Sequence, residues 1–298
     1  MMKLVKAITL SLGELKTPVI SRYQLGLIIF NLYKEKRYAG EAIRIQKESA
    51  ELQDFNKYSR QLLEEGVLST HRQLPSSVYS LLGRKDWEVD EVACVIDPFC
   101  YVSHLSAMAY HGLTNRIPTT LYLSSPSPKD WKQFAHDQME TELGDDYQIY
   151  MDNDMPGLVR TAFKRIGRTD IHRYSSKHMG AYKNVRDKNL RVSTVGRTFL
   201  DMLRNPDLCG GIRHVLDVYE QHAAKYLRLI TDEITQHGQP IDKVRAGYIL
   251  QERLELSNDV VESWAQYAQR GGSRKLDATA EYIPEWSDKW CLSINTFE

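Results

Sequence analysis

The chain has 298 residues, beyond the size at which single cores usually stop growing, and this predicts two domains. With 42% hydrophobic and 26% charged residues, the composition excludes a disordered or collagenous chain. The 39 Lys+Arg balance the 39 Asp+Glu, so no bulk positive charge draws the whole chain to nucleic acid.

Four cysteines (Cys94, Cys100, Cys209, Cys291) without a CxxC pair exclude a zinc ribbon and a dense disulfide framework, and a cytoplasmic location is the expectation. Lys3 and Lys6 lie among short apolar runs with no small-residue cleavage site, so no signal peptide is expected. Nowhere do about 18 uncharged apolar residues follow one another, and no membrane partner is predicted.

Leu25, Ile28, Ile29, Leu32 and Tyr33 recur at helical spacing behind Ser21, a good N-cap. A second helix is predicted from Asp54 as N-cap to Gly66, with Phe55, Tyr58, Leu62 and Leu63 buried. Two short strands, Val67 to Gln73 and Val78 to Leu82, follow around Pro75. Helix, helix and hairpin is the order of a winged helix-turn-helix, assigned to residues 1–90. Asn56, Lys57, Arg60 and Gln61 share the exposed stripe of the second helix and are side-chain types that reach base edges and phosphates. Arg72 and Gln73 fall near the wing tip. Such modules also serve in protein contacts, and a solvated helix face is the plain alternative.

From Asp90 the pattern changes to an α/β domain, residues 91–298. Strands are expected at Val92 to Ile96, Thr119 to Leu123, Gln148 to Met151, Thr161 to Arg165 and Ile171 to Tyr174, with a turn cluster from Ser124 to Pro128. A helix is expected from Ser103 to His111. Late helices are predicted at Val195 to Arg204, Ile212 to Ala224, Asp242 to Arg253 and Val260 to Gln269, before a closing strand at Lys289 to Ile294. The fold class is thus α/β (α+β): an N-terminal winged helix-turn-helix and a mixed C-terminal domain with helices packed on a sheet.

Split by segment, the neutral total hides a pattern. Residues 157–204 carry 12 basic and 3 acidic residues, whereas 91–156 carry 3 and 10. Arg160, Lys164, Arg165, Arg168, Arg173, Lys177, Lys183, Arg186, Lys188 and Arg191, interleaved with Phe163, Tyr174 and Tyr182, form a candidate second surface for DNA or an acidic partner.

Enzyme signatures are weak. Gly271-Gly-Ser-Arg-Lys275 lacks the spacing of a phosphate loop. Asp152 and Asp154 form a DxD pair without the preceding Gly-Ser turn of a nucleotidyltransferase. Asp130-Trp-Lys132 has no supporting acidic strand residue for a nuclease, and His104 and His111 are too far apart in sequence for an i, i+4 metal pair. No catalytic residue, metal or cofactor is expected.

The stretch from Tyr101 to Leu113 (Tyr-Val-Ser-His-Leu-Ser-Ala-Met-Ala-Tyr-His-Gly-Leu), then Ile117-Pro118 and a strand ending in Ser-Ser-Pro126, resembles the AbiEi-type antitoxins of type IV toxin-antitoxin systems. Val192-Ser-Thr-Val-Gly-Arg-Thr-Phe-Leu-Asp-Met-Leu203, Pro206, Gly210-Gly211 and Trp290 to Asn295 extend the likeness over nearly the whole chain. The resemblance implies a phage-defence antitoxin and autorepressor. Its winged helix would bind operator DNA with inverted repeats in its own promoter, and its C-terminal domain would neutralise a cognate nucleotidyltransferase-type toxin. A DNA-targeted nuclease or nucleotidyltransferase-like enzyme, and a solitary winged-helix regulator, are the alternatives.

Overall fold

The N-terminal run with Lys3 and Lys6 is a helix, α1 (Leu4–Glu14), that buries Leu4, Ala7, Ile8 and Leu12 at helical spacing. In the computed structural model, which describes residues 1–83, 88–177, 179, 181–269 and 274–296, strand β1 (Val19–Ser21) then leads directly into α2 (Arg22–Glu35). Ser21 is its N-cap: Ser21 Oγ accepts from the Gln24 N–H at 3.2 Å, and Gln24 Oε1 accepts from the Ser21 N–H at 3.0 Å.

A small ribbon, β2 (Arg37–Tyr38) and β3 (Glu41–Ala42), precedes α3 (Leu52–Glu64). The N-cap of α3 is Glu51, and Asp54 sits at the third helical position, where its carboxylate accepts from the Glu51 N–H at 3.1 Å. Asp54 therefore closes the capping box instead of capping the helix, and α3 begins earlier than predicted. The chain turns at Gly66, whose φ of +72° is open to glycine at little cost. Strands β4 (Leu68–Ser69) and β5 (Val78–Leu81) pair antiparallel with Leu68 opposite Leu81. The other edge of β5 takes β1, Val19 opposite Ser80, in a three-stranded sheet of order β1-β5-β4.

The predicted strand at Val92 to Ile96 is a helix, α4 (Val89–Ile96). A five-residue apolar run has no readable period, and Asp90 and Glu91 in the first turn favour the helical choice. Next come β6 (Tyr101–Val102), α5 (His104–Tyr110) and β7 (Thr120–Pro126), with β6 antiparallel to β7, Tyr101 opposite Ser124. Strand β7 runs through much of the predicted turn cluster.

Helix α6 (Pro128–Leu143) was not expected, although Ser127 Oγ caps it and Pro128 occupies its first position. The strand predicted at Gln148 to Met151 is α7 (Tyr147–Asp152). Strands β8 (Arg165–Ile166) and β9 (Thr169–Ser176) form a tight hairpin, Ile166 opposite Thr169. After β10 (Tyr182–Asn184), β11 (Arg191–Ser193) runs parallel to β6, Val192 opposite Val102.

Helix α8 (Val195–Arg204) has the predicted bounds, and α9 (Ile212–His237) runs well past its predicted end. Helix α10 (Pro240–Gly247) continues into a π-helical turn, Tyr248–Arg253, and α11 (Asp259–Ser263) precedes the closing ribbon of β12 (Trp286–Ser287) and β13 (Leu292–Ser293). About half of the chain is helical, and its sheets mix strand orientations, an α/β architecture.

The chain forms two compact units, each discontinuous. Unit 1 comprises Met1–Cys100, Ser125–Lys177 and Asn184–Arg191; unit 2 comprises Tyr101–Ser124, His178–Lys183 and Val192–Glu298. This division is not the one drawn after residue 90 from sequence. The core of unit 1 joins Ile8, Leu25, Ile29, Phe55 and Leu62 to Met139, Tyr150 and Met155. Unit 2 has its own core, in which Phe199, Tyr219, Ile230, Trp264 and Trp290 are buried. All four cysteines are free, and among the described residues no helix is long and apolar enough to cross a membrane. Residues 271–273 of the glycine-rich loop lie outside the described residues.

Candidate nucleic-acid interface

Helix α3 is strongly two-faced. Phe55, Ser59 and Leu62 are buried, whereas Asn56, Lys57 and Arg60 are exposed on the opposite side. Arg60 and the Asn56 side chain have no hydrogen-bond or ion-pair partner among the described residues. Lys57 Nζ lies 5.2 Å from the Tyr58 ring centroid, a contact that lets it swing to solvent. Gln61 differs: it is half-buried, and its Nε2 donates to Glu65 Oε1 at 2.8 Å. Three of the four predicted reading residues are thus presented, and the fourth is partly engaged with its own helix.

The turn between β4 and β5 is pinned by buried Leu74, whose N–H donates to the His71 carbonyl at 2.9 Å. Arg72 and Gln73 stand exposed on it. The β8–β9 hairpin of the same unit meets this turn. Gly167 N–H donates to the Gln73 carbonyl at 3.4 Å, and a notch of about 390 Å³ opens between the two tips, lined by Arg72, Gln73, Phe163 and Arg165 among others.

The ten basic residues predicted to form one surface separate into two groups. Arg191 is an internal clamp: Nε donates to the Cys100 carbonyl at 2.7 Å, and Nη2 to the carbonyls of Cys94 and Asp97 at 2.6 and 2.9 Å. The carbonyls of Cys94 and Asp97 belong to the C-terminal end of α4, where a cation is favoured. Arg173 Nη1 donates to the Thr161 carbonyl at 3.1 Å and lies 3.4 Å from the buried Asp97 carboxylate, with its guanidinium 5.0 Å from the Phe163 ring centroid. Arg160 is half-buried; burial first, then the charge of Arg173, push its guanidinium below the ordinary range. Arg173 and Arg191 are fastened inside unit 1, and with the half-buried Arg160 they do not belong to an exposed patch.

Lys164, Arg165, Arg168, Lys177, Lys183, Arg186 and Lys188 are exposed. Lys183 belongs to unit 2 and the other six to unit 1. Arg165 Nε donates to Asp170 Oδ1 at 2.7 Å, and Lys188 lies 3.7 Å from Glu91. Sequence reading missed the centre of the internal group, Asp97, which is 2% exposed and accepts from Ser125 Oγ and Trp131 Nε1, each at 2.8 Å. An aspartate closing an apolar run was the available signal.

The residues weighed for enzyme chemistry are spread over several elements. Asp152 ends α7 and Asp154 lies beyond it with φ of +52°, both exposed, so the shared strand face that a DxD pair needs is not formed. Asp130 and Lys132 lie on α6, with Asp130 accepting from Ser127 Oγ at 2.6 Å. His104 is buried with Nδ1 2.8 Å from Ser103 Oγ, and His111 Nε2 lies 2.7 Å from the Ser193 carbonyl. Burial lowers the His111 pKa, so its imidazole is a neutral hydrogen-bonding group near pH 7. Among the described residues, His136, Asp137 and Glu140 on α6 are the one group with donor atoms close enough to share a metal ion, and all three are exposed.

No family model and no curated protein matches this sequence. Among solved structures, the crystal structure of the RV2827C protein from Mycobacterium tuberculosis is similar over 97% of this chain and 90% of that one, at 10% sequence identity and a TM-score of 0.48.

Proposed function

We propose that this chain is a DNA-binding transcriptional repressor that occludes its own promoter and, as an antitoxin, counters a nucleotidyltransferase-type toxin without catalysis of its own. The observation that supports the DNA-binding part best is the order α1, β1, α2, α3, β4, β5 with the sheet arranged β1-β5-β4. Apart from the β2–β3 ribbon between α2 and α3, this order agrees with that expected of a winged helix, in which the last helix before the hairpin enters the major groove and the hairpin flanks it. That helix here is α3, with Asn56, Lys57 and Arg60 on its open face. Arg60 offers a fork that matches a guanine edge, Asn56 the donor and acceptor pair that suits adenine, and Lys57 a point charge for phosphate.

The double variant Lys57→Ala/Arg60→Ala tests this assignment by gel retardation of its promoter fragment at moderate salt. Removing one base-reading arginine and one phosphate-binding lysine is expected to weaken binding about 100-fold with an unchanged circular dichroism spectrum. Undiminished retardation would remove α3 from the reading role.

The antitoxin part rests on the sequence resemblance of residues 101–126 and 192–211. Co-expression with the nucleotidyltransferase-type toxin encoded beside it is expected to restore growth, while toxin alone arrests it. Continued arrest in the presence of the chain would leave a repressor without an antitoxin role.

A further inference from the structure

We propose that the β8–β9 hairpin is a second phosphate-binding finger, working beside the β4–β5 turn to lengthen the DNA footprint of α3. The inference rests on the DNA-binding reading above and adds a surface to it.

The hairpin has a rigid root and a charged tip. Ile166 is fully buried, and Phe163 and Ile171 are each 8% exposed, so three apolar side chains fix the root in unit 1. Register Ile166 opposite Thr169 leaves Gly167 and Arg168 as a two-residue turn, and Gly167 supplies the φ of +61° that such turns require. Arg168 therefore stands at the tip, with Arg165 on the rising strand and Lys164 just before it.

This basic tip is brought against another. The bond from Gly167 N–H to the Gln73 carbonyl places it beside Arg72. Arg165 has one carboxylate partner, Asp170; Arg72, Lys164 and Arg168 have no ion-pair partner among the described residues. Like charges held together raise the energy of the free protein and lower it once an anion lies across them. The composition favours a phosphate backbone over a protein. Protein interfaces place aromatic and apolar side chains at their centre and deplete charge there, whereas the exposed residues of these two tips include Arg72, Gln73, Lys164, Arg165 and Arg168 beside His71, Ala162 and a single carboxylate, Asp170, which is paired with Arg165. Two basic tips held side by side suit the phosphates of a duplex.

Lys164→Ala/Arg168→Ala removes two exposed charges and leaves the buried root intact. The probe is a duplex enriched from a random-sequence pool by the wild-type protein, titrated between 50 and 200 mM salt. The variant is expected to bind roughly tenfold more weakly, with a salt slope reduced by about 1.8, or about 0.9 for each phosphate that is no longer neutralised. Its sequence preference should be unchanged, and its hydroxyl-radical footprint shorter on one side. Wild-type slope and footprint in this variant, with binding still abolished in Lys57→Ala/Arg60→Ala, would overturn the finger, assign the hairpin to an acidic protein partner, and leave the reading helix standing. Failure of the wild-type protein to enrich any duplex would overturn the DNA-binding reading and the finger with it.

Discussion

Gly196→Ala is expected to lower the thermal midpoint by roughly 4–8 °C, corresponding to about 2 kcal/mol. Gly196 lies in the first turn of α8, where that helix crosses α9 at backbone contact. A β-carbon built there would fall 2.3 Å from the Leu229 carbonyl oxygen and 2.9 Å from Glu233 Cβ. A carbonyl inside a helix cannot rotate aside as a flexible side chain does, so the two helices must separate along a packed interface. Alanine regains about 1 kcal/mol of helix propensity, which offsets only part of the strain. Gly13→Ala is the control, because Gly13 also lies in a helix but nothing stands within 4 Å of its added β-carbon. That substitution is expected to raise the midpoint slightly. Circular dichroism melts of both variants decide the matter, and a stabilised Gly196→Ala would refute the close crossing.

Asp201→Ala is expected to be costlier still, about 3–5 kcal/mol. Asp201 and Arg197 lie one turn apart on α8, and Arg197 Nε donates to Asp201 Oδ1 at 2.7 Å with both side chains 2% exposed. Burial works to discharge Arg197, but Asp201 and then Tyr101 outweigh it and hold the guanidinium protonated above its ordinary range. Removing the carboxylate takes away the hydrogen-bonded counter-charge of that guanidinium in a buried site. Replacing both partners together, Arg197→Met with Asp201→Leu, should recover most of the loss, since a buried pair contributes little net stability over apolar residues of similar size. Urea unfolding of the single and double variants measures the difference. Equal losses in both would show that the pair is needed for more than mutual compensation.

Longer helical runs were readable from the chain, α2 with its apolar repeat behind Ser21 and α8 at Val195 to Arg204 among them. Short apolar runs were not, because Val92 to Ile96 and Gln148 to Met151 are too brief to carry a period and became helices through their packing. Helix α6 did announce itself through Ser127 and Pro128, but the three serines and two prolines from Ser124 to Pro128 also spell a turn. In the interface, the exposed stripe of α3 followed from helical geometry. The fate of Arg173 and Arg191 did not: the carbonyl acceptors of Arg191 lie more than 90 residues away in sequence, and no local pattern separates a clamping arginine from a solvated one.

The interleaving of the two units has a consequence for synthesis of the chain. The N-terminal helices share their core with Met139, Leu143, Tyr150 and Met155, and unit 1 is complete only at Arg191. At translation rates of about 5–20 residues per second, the stretch from Cys100 to Arg191 takes roughly 5–20 s to emerge. Until the segment from Met139 to Met155 has emerged within that interval, the nascent N-terminal hundred residues carry an apolar face with nothing to cover it. The ribosome-bound chain, more than the released protein, is therefore the form exposed to chaperones and proteases.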